Sequence, residues 1–152
     1  MLRVVTEGVS GEGLLRRPVL LRGIRLGHPT DLLLDLETMR VIGIEVRCGD
    51  TADRFLPLPA AELREEAIGV RSALQLLDER DLAFYRRRGA SFRAARGLPV
   101  ERDGRPVGAL VDVVAGPDGA IVELVADAEG RRVRVPVARG VSIAGRPAAS
   151  AA

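Results

Sequence analysis

One spacing, written twice, constrains this chain more than any other feature. Residues Arg17–Asp31, "RPVLLRGIRLGHPTD", and Leu98–Asp112, "LPVERDGRPVGALVD", both read Pro-Val, three residues, Gly, three residues, Gly, three residues, Asp. In this register Pro18 matches Pro99, Gly23 matches Gly104, Gly27 matches Gly108 and Asp31 matches Asp112, 81 positions apart (Pro18 to Pro99). A rival register of 77 positions (Arg25 to Arg102) pairs Arg25, Gly27, Pro29, Leu33 and Asp35 with Arg102, Gly104, Pro106, Leu110 and Asp112. Physical grounds favour 81, because it leaves a turn glycine followed by a strand glycine in each copy. The first permits positive φ, and the second permits a bulge or close backbone approach. Either register implies duplication, so the 152 residues divide into two units of roughly seventy to eighty. Units that small bury a modest fraction of their surface, and packing them together is the natural remedy.

The second copy has the clearer strands. Val107–Val114 is rich in Val and Leu, Gly116-Pro117-Asp118-Gly119 is a turn, and Ala120–Ala126 is apolar again. "RRVRVPV", Arg131–Val137, then alternates, with Val133 and Val135 inward and Arg132 and Arg134 toward water. Pro136 ends or edges that strand, and "GVSIAG" offers one more. Short strands with glycine turns about every ten residues indicate a small barrel or sandwich. The first copy repeats the order: "TDLLLDL" matches "VDVVAG", "RVIGIEV" matches "AIVELVA", and "RFLPLP" matches "RVRVPV" with Pro57 opposite Pro136. Glu37-Thr38-Met39 replaces the Pro-Asp-Gly, so the first hairpin lacks its best turn residue.

Between the copies, Ile68–Leu76 alternates on one face and is expected to be the last strand of the first unit. The competing reading is a helix begun by Ser72, with Gln75 completing a capping box. A short helix is expected over Glu79–Arg88, with Asp78 as N-cap and Gly89 as the stop; Leu82 and Tyr85, with Phe84 as a third candidate, form its buried face. The expected organisation is a first domain over 1–76, a connector helix in 77–92, a second domain over 93–145 and a disordered tail, 146–152.

The order Pro-Val, turn Gly, strand Gly, Asp, apolar strand, hairpin, apolar strand and a strand closing on Pro resembles the PRC-barrel domain, named for the cytoplasmic region of the photosynthetic reaction-centre H subunit. A similar barrel forms part of a bacterial 16S rRNA-maturation factor. The resemblance covers Arg17–Leu76 and Ala95–Gly145 as a tandem pair. It implies a mainly β protein of two small PRC-type β-barrels in tandem joined by a short α-helix, and a binding or assembly role rather than catalysis. Members of the family contact protein surfaces. The chain departs from both relatives, with no transmembrane helix of the H-subunit kind and no room for the maturation factor's N-terminal domain.

Composition narrows the function classes. Every one of the 23 basic side chains is Arg, and they stand against 21 acidic ones. The pI of about 9.4 reflects how little titrates between pH 7 and 10 rather than a strong positive field, so it is no argument for nucleic acid. Cys48 is the only cysteine, which excludes an intrachain disulfide and a Cys-based metal site. The N-terminal stretch is interrupted by Glu7, Glu12, Arg16 and Arg17 and does not read as a signal peptide; no run of apolar residues is long enough to cross a membrane. A cytoplasmic location is expected by default.

Few residues invite chemistry. His28, the only histidine, sits near Asp31, and a general base or a metal site with Asp31 and Asp35 is conceivable; a polar residue before a rigid proline is the ordinary reading. No catalytic, cofactor or metal residue is assigned. The candidate interaction patch is Arg86, Arg87, Arg88, Arg93 and Arg96, which could grip phosphates or an acidic protein surface. Its ordinary explanation is that arginines in a last helical turn complement the macrodipole. Asp31 and Asp112 more simply fix a turn or strand end in each copy. The expected function is therefore a non-enzymatic binding module with a protein partner. A ribosome or RNA-maturation accessory is one alternative, and a small-ligand-binding protein or enzyme is another.

Overall fold

A computed structural model describes residues 7–49 and 51–145. The expected tail from Arg146 to Ala152 lies outside the described residues. The fold is mainly β and holds two sheets. Its elements are β1 (Val9–Ser10), α1 (Gly11–Leu15), β2 (Val19–Leu21), β3 (Ile24–Asp35), β4 (Arg40–Cys48), β5 (Asp53–Pro57), β6 (Glu62–Leu63) and β7 (Ile68–Val70). There follow α2 (Glu79–Arg88), β8 (Ala90–Ser91), α3 (Phe92–Ala95), β9 (Pro99–Arg102), β10 (Arg105–Ala115), β11 (Ile121–Ala128), β12 (Arg131–Pro136) and β13 (Val141–Ile143).

One sheet runs β5-β4-β3-β2-β7-β6, and the other β12-β11-β10-β9-β13. The barrels expected from strand spacing are not closed: among the described residues no ladder joins the two edges of either sheet. The reason lies in the closing strands. β6, β7 and β13 are two or three residues long, while β5 and β12 stop at Pro57 and Pro136, which have no N–H for a further ladder bond.

Strand pairing decides the repeat register. Val19 faces Gly27 in one half and Val100 faces Gly108 in the other, as the 81-residue register requires. Arg22-Gly23 and Asp103-Gly104 are two-residue turns with both residues left-handed, at φ 50° and 80° and at φ 53° and 79°. That geometry matches strand twist and explains the turn glycine. A side chain on Gly27 would collide with the Arg47 carbonyl oxygen, and one on Gly108 with that of Asp127, which explains the strand glycine. Bulges at matching places bend the long strands β3 and β10. The first hairpin manages its left-handed position without glycine: Met39 stands at φ 52° where the second hairpin has Gly119 at φ 91°, and Asp35 Oδ1 accepts the Glu37 and Thr38 N–H groups at 3.0 and 3.1 Å.

The middle of the chain differs from expectation in one respect. The strand ends at Val70, and Ala73–Gln75 forms a 3-10 turn. Ser72 Oγ accepts the Leu74 N–H at 3.1 Å, while Gln75 Oε1 accepts the Arg71 N–H at 2.8 Å. The capping interactions therefore win over the alternation, because they satisfy backbone donors locally. Helix α2 spans the expected residues with Asp78 as N-cap. It packs on the first sheet, where Leu82 is buried with Leu33 and Phe55, and Tyr85 stacks on Phe55 at 4.3 Å. Phe84 is not on that face; it is 41% exposed and meets Tyr85 edge-on.

The halves do not simply sit side by side. β1, at the start of the first half, pairs with β10 of the second sheet, Val9 opposite Ala115 and Ser10 opposite Val114. β8, at the equivalent place before the second half, pairs with β3 of the first sheet, Ala90 opposite Leu34 and Ser91 opposite Leu33. Each arm thus pairs with the sheet of the other half, a reciprocal exchange. The hairpin tips meet as well: Val41 N–H donates to Gly119 O at 2.8 Å and Ile121 N–H to Met39 O at 2.9 Å. One apolar cluster accordingly runs through both units, from Val9, Leu14, Leu32 and Leu34 to Phe92, Val113, Leu124 and Val135. No described helix is long and apolar enough to cross a membrane.

Candidate functional site

The duplicated aspartates hold the exchanged arms. Both carboxylates accept the N–H of the next residue at 2.8 Å, Leu32 for Asp31 and Val113 for Asp112. Each then reaches the arm of the other half. Asp31, 7% exposed, accepts from the Ser91 hydroxyl and from Arg93 N–H at 3.1 Å. Asp112 accepts from Glu12 N–H at 3.3 Å and from Gly11 N–H. Burial raises the Asp112 carboxyl above the ordinary aspartate value, against those hydrogen bonds and the nearby Arg96 and Arg132. The sequence marked both aspartates but not Ser10 and Ser91, which cap the two short helices. That Ser pair fits the 81-residue register and was the available signal.

With Asp31 committed inward, no carboxylate among the described residues orients His28. It stands exposed on β3 opposite Arg47. Asp35 is used by its own turn. Among the described residues no group of three or more His, Cys, Asp or Glu is placed to hold a metal.

The five arginines of the candidate patch are dispersed by their partners. Arg86 forms a forked pair with Glu45, Nε to Oε1 at 2.6 Å and Nη2 to Oε2 at 3.1 Å, and that glutamate is buried. Arg93 Nε donates to Thr30 O at 2.5 Å. Arg96 pairs with Glu12 and lies 4.7 Å over the Phe92 ring, and Arg88 lies 3.7 Å over Phe84. Arg87 is exposed. Arg86 is thus spent on the sheet under its helix, and Arg93 and Arg96 on the exchanged arm.

Two surface features remain. One is an open depression of about 530 Å³ between the 3-10 turn, α2 and the first sheet, lined by Leu26, Cys48, Arg54, Leu76, Leu77 and Asp81, with Leu74 88% exposed at its rim. The other is a difference between the halves. On the first sheet the edge strand β5 is capped by Leu77, whose N–H and C=O exchange hydrogen bonds with Phe55 at 2.8 and 2.9 Å, and α2 covers the outer face. At the matching place on the second sheet, opposite Val125 as Phe55 is opposite Glu45, stands Arg134. Its side chain is 72% exposed, and Val122, the counterpart of Ile42, is 48% exposed. No described residue takes the part of Leu77 or α2 there.

No protein-family profile matches the sequence, and no curated protein matches it.

Proposed function

We infer that the protein is a non-enzymatic binding or assembly module for a protein partner, working in the cytoplasm and built from two units of the PRC-barrel type. The observation that carries this reading is the unequal covering of the two sheets. The fold covers the edge and outer face of the first sheet with its own chain, while the corresponding side of the second presents Arg132, Arg134 and Val122 to solvent. An open sheet edge flanked by apolar and charged side chains is a common way to receive another polypeptide. The arginine patch lends less support to an RNA reading, since Arg86, Arg93 and Arg96 already have acceptors within the fold.

The test is an affinity pull-down with the full chain at low and high salt, with and without nuclease, read by mass spectrometry. A protein retained through nuclease and high salt supports the reading. Recovery only of ribosomal or RNA-bound material that nuclease removes overturns it in favour of an RNA accessory.

A further inference from the structure

The hydrogen-bonding direction of β12 can be read from one bond beyond its end. Val137 N–H donates to Val122 O at 2.9 Å. In an antiparallel ladder, residues alternate between bonding the neighbouring strand and facing away from it. With Val135 opposite Leu124 and Val133 opposite Ala126, these residues turn their backbone toward β11, while Arg132, Arg134 and Pro136 turn theirs outward. Phe55 does the same on β5, where its outward N–H and C=O are the groups that Leu77 satisfies. Pro57 and Pro136, opposite Gly43 and Glu123, occupy matching outward positions, so neither costs its sheet a ladder bond.

β12 therefore offers two outward N–H donors, at Arg132 and Arg134, in the geometry that the first sheet already uses to bind an extended segment. On the strand itself Arg131, Arg132 and Arg134 are all exposed, with Asp127 opposite Arg132 on β11. Arg134 pairs with Glu123 at 2.9 Å, but with its side chain 72% exposed that pair contributes little and yields readily to a better acceptor.

We propose that β12 is the docking edge for an extended acidic segment of a partner protein, which adds to the second sheet as a further strand beside Arg132–Arg134 and sets its carboxylates against the three arginines. Main-chain hydrogen bonds supply the register, and the arginines select for charge. This deepens the protein-binding reading above and rests on it.

The experiment uses the full chain and fluorescein-labelled hexapeptides, followed by anisotropy at low salt. The probes are alternating Glu-Val, the Lys-Val counterpart, and Glu-Val with N-methylated amides on its pairing edge. Expected is binding of Glu-Val at least about tenfold tighter than Lys-Val, and loss of binding on N-methylation. Arg134→Pro, which removes an outward N–H and no ladder bond, should weaken Glu-Val binding about tenfold. If that variant does not fold, the double variant Arg132→Glu with Arg134→Glu serves instead and should reverse the preference toward Lys-Val.

Equal binding of the Glu and Lys peptides, or indifference to N-methylation, overturns the proposal. So does competition by a peptide of the Arg146–Ala152 sequence, which would assign the edge to this chain, or self-association abolished by Arg134→Pro, which would assign it to a second copy. If the peptides fail while the pull-down still yields a nuclease-resistant protein, the edge is wrong and the binding-module reading stands; if both fail, both fall.

Discussion

The buried carboxylate of Asp31 accepts a hydrogen bond from the hydroxyl of Ser91, a residue 60 positions further along the chain and on the arm that precedes the other half. Removing that hydroxyl leaves a carboxylate oxygen in the core without its donor. Ser91→Ala should therefore lower stability by about 1–3 kcal/mol, measured by urea unfolding. Ser10→Ala removes a helix cap but no partner of Asp112, and should cost about 1 kcal/mol. Equal losses in the two variants would contradict this division of labour.

Reciprocal arms make each half incomplete alone. A fragment of residues 1–76 lacks β8 and α3, which complete its sheet and cover its core. It should show no cooperative unfolding transition, and co-expression with residues 77–152 should restore one. A fragment that folds cooperatively by itself would show the exchange to be dispensable.

Arg86 and Glu45 form a pair in which the glutamate side chain is 6% exposed. Arg86→Ala strands a charge against the sheet and should cost about 3 kcal/mol, whereas Arg87→Ala should change stability by less than about 0.5 kcal/mol. The double variant Arg86→Met with Glu45→Gln should recover part of the loss, and chemical denaturation of the native chain, the single variants Arg86→Met and Glu45→Gln, and the double variant gives the coupling directly.

Burial lifts the Asp112 carboxyl above its unfolded value, so the folded state holds that proton more tightly than the unfolded chain. Below the unfolded pKa both states are protonated and the group imposes no penalty. As pH rises through the folded pKa the carboxyl ionises within the fold, and stability is lost. Asp112→Asn keeps an acceptor oxygen for Val113 and the α1 backbone without that ionisation. Its melting temperature relative to the native chain should be higher at pH 7 than at pH 3; a difference independent of pH would contradict the assignment.

Much of the local architecture was legible in the residues. Helix α2 begins where Asp78 indicates, because a capping carboxylate acts on backbone N–H groups within one turn, and it ends at Gly89 as expected, though with an extended backbone (φ −104°) rather than a left-handed glycine turn. The alternation of "RRVRVP" placed Val135 in the core and Arg132 and Arg134 outside. Ile68–Leu76 misled because its apolar alternation was genuine, yet the hydrogen bonds of Ser72 and Gln75 lie nearer in sequence than any strand partner. The site was harder to see. The Arg86–Arg96 run is dense in sequence, but its fate depended on acceptors at Glu45, Thr30 and Glu12, which no local pattern connects to it.

By itself, then, the sequence determined the duplication, the two-residue glycine turns and the mainly β character, since φ preference and side-chain alternation operate over a few residues. Only the tertiary structure decided that the arms β1 and β8 cross between halves and that, among the described residues, the sheets stay open and Leu77 caps β5 while nothing caps β12. Two-residue strands carry no periodicity, and an edge is open or covered according to what packs against it from elsewhere in the chain.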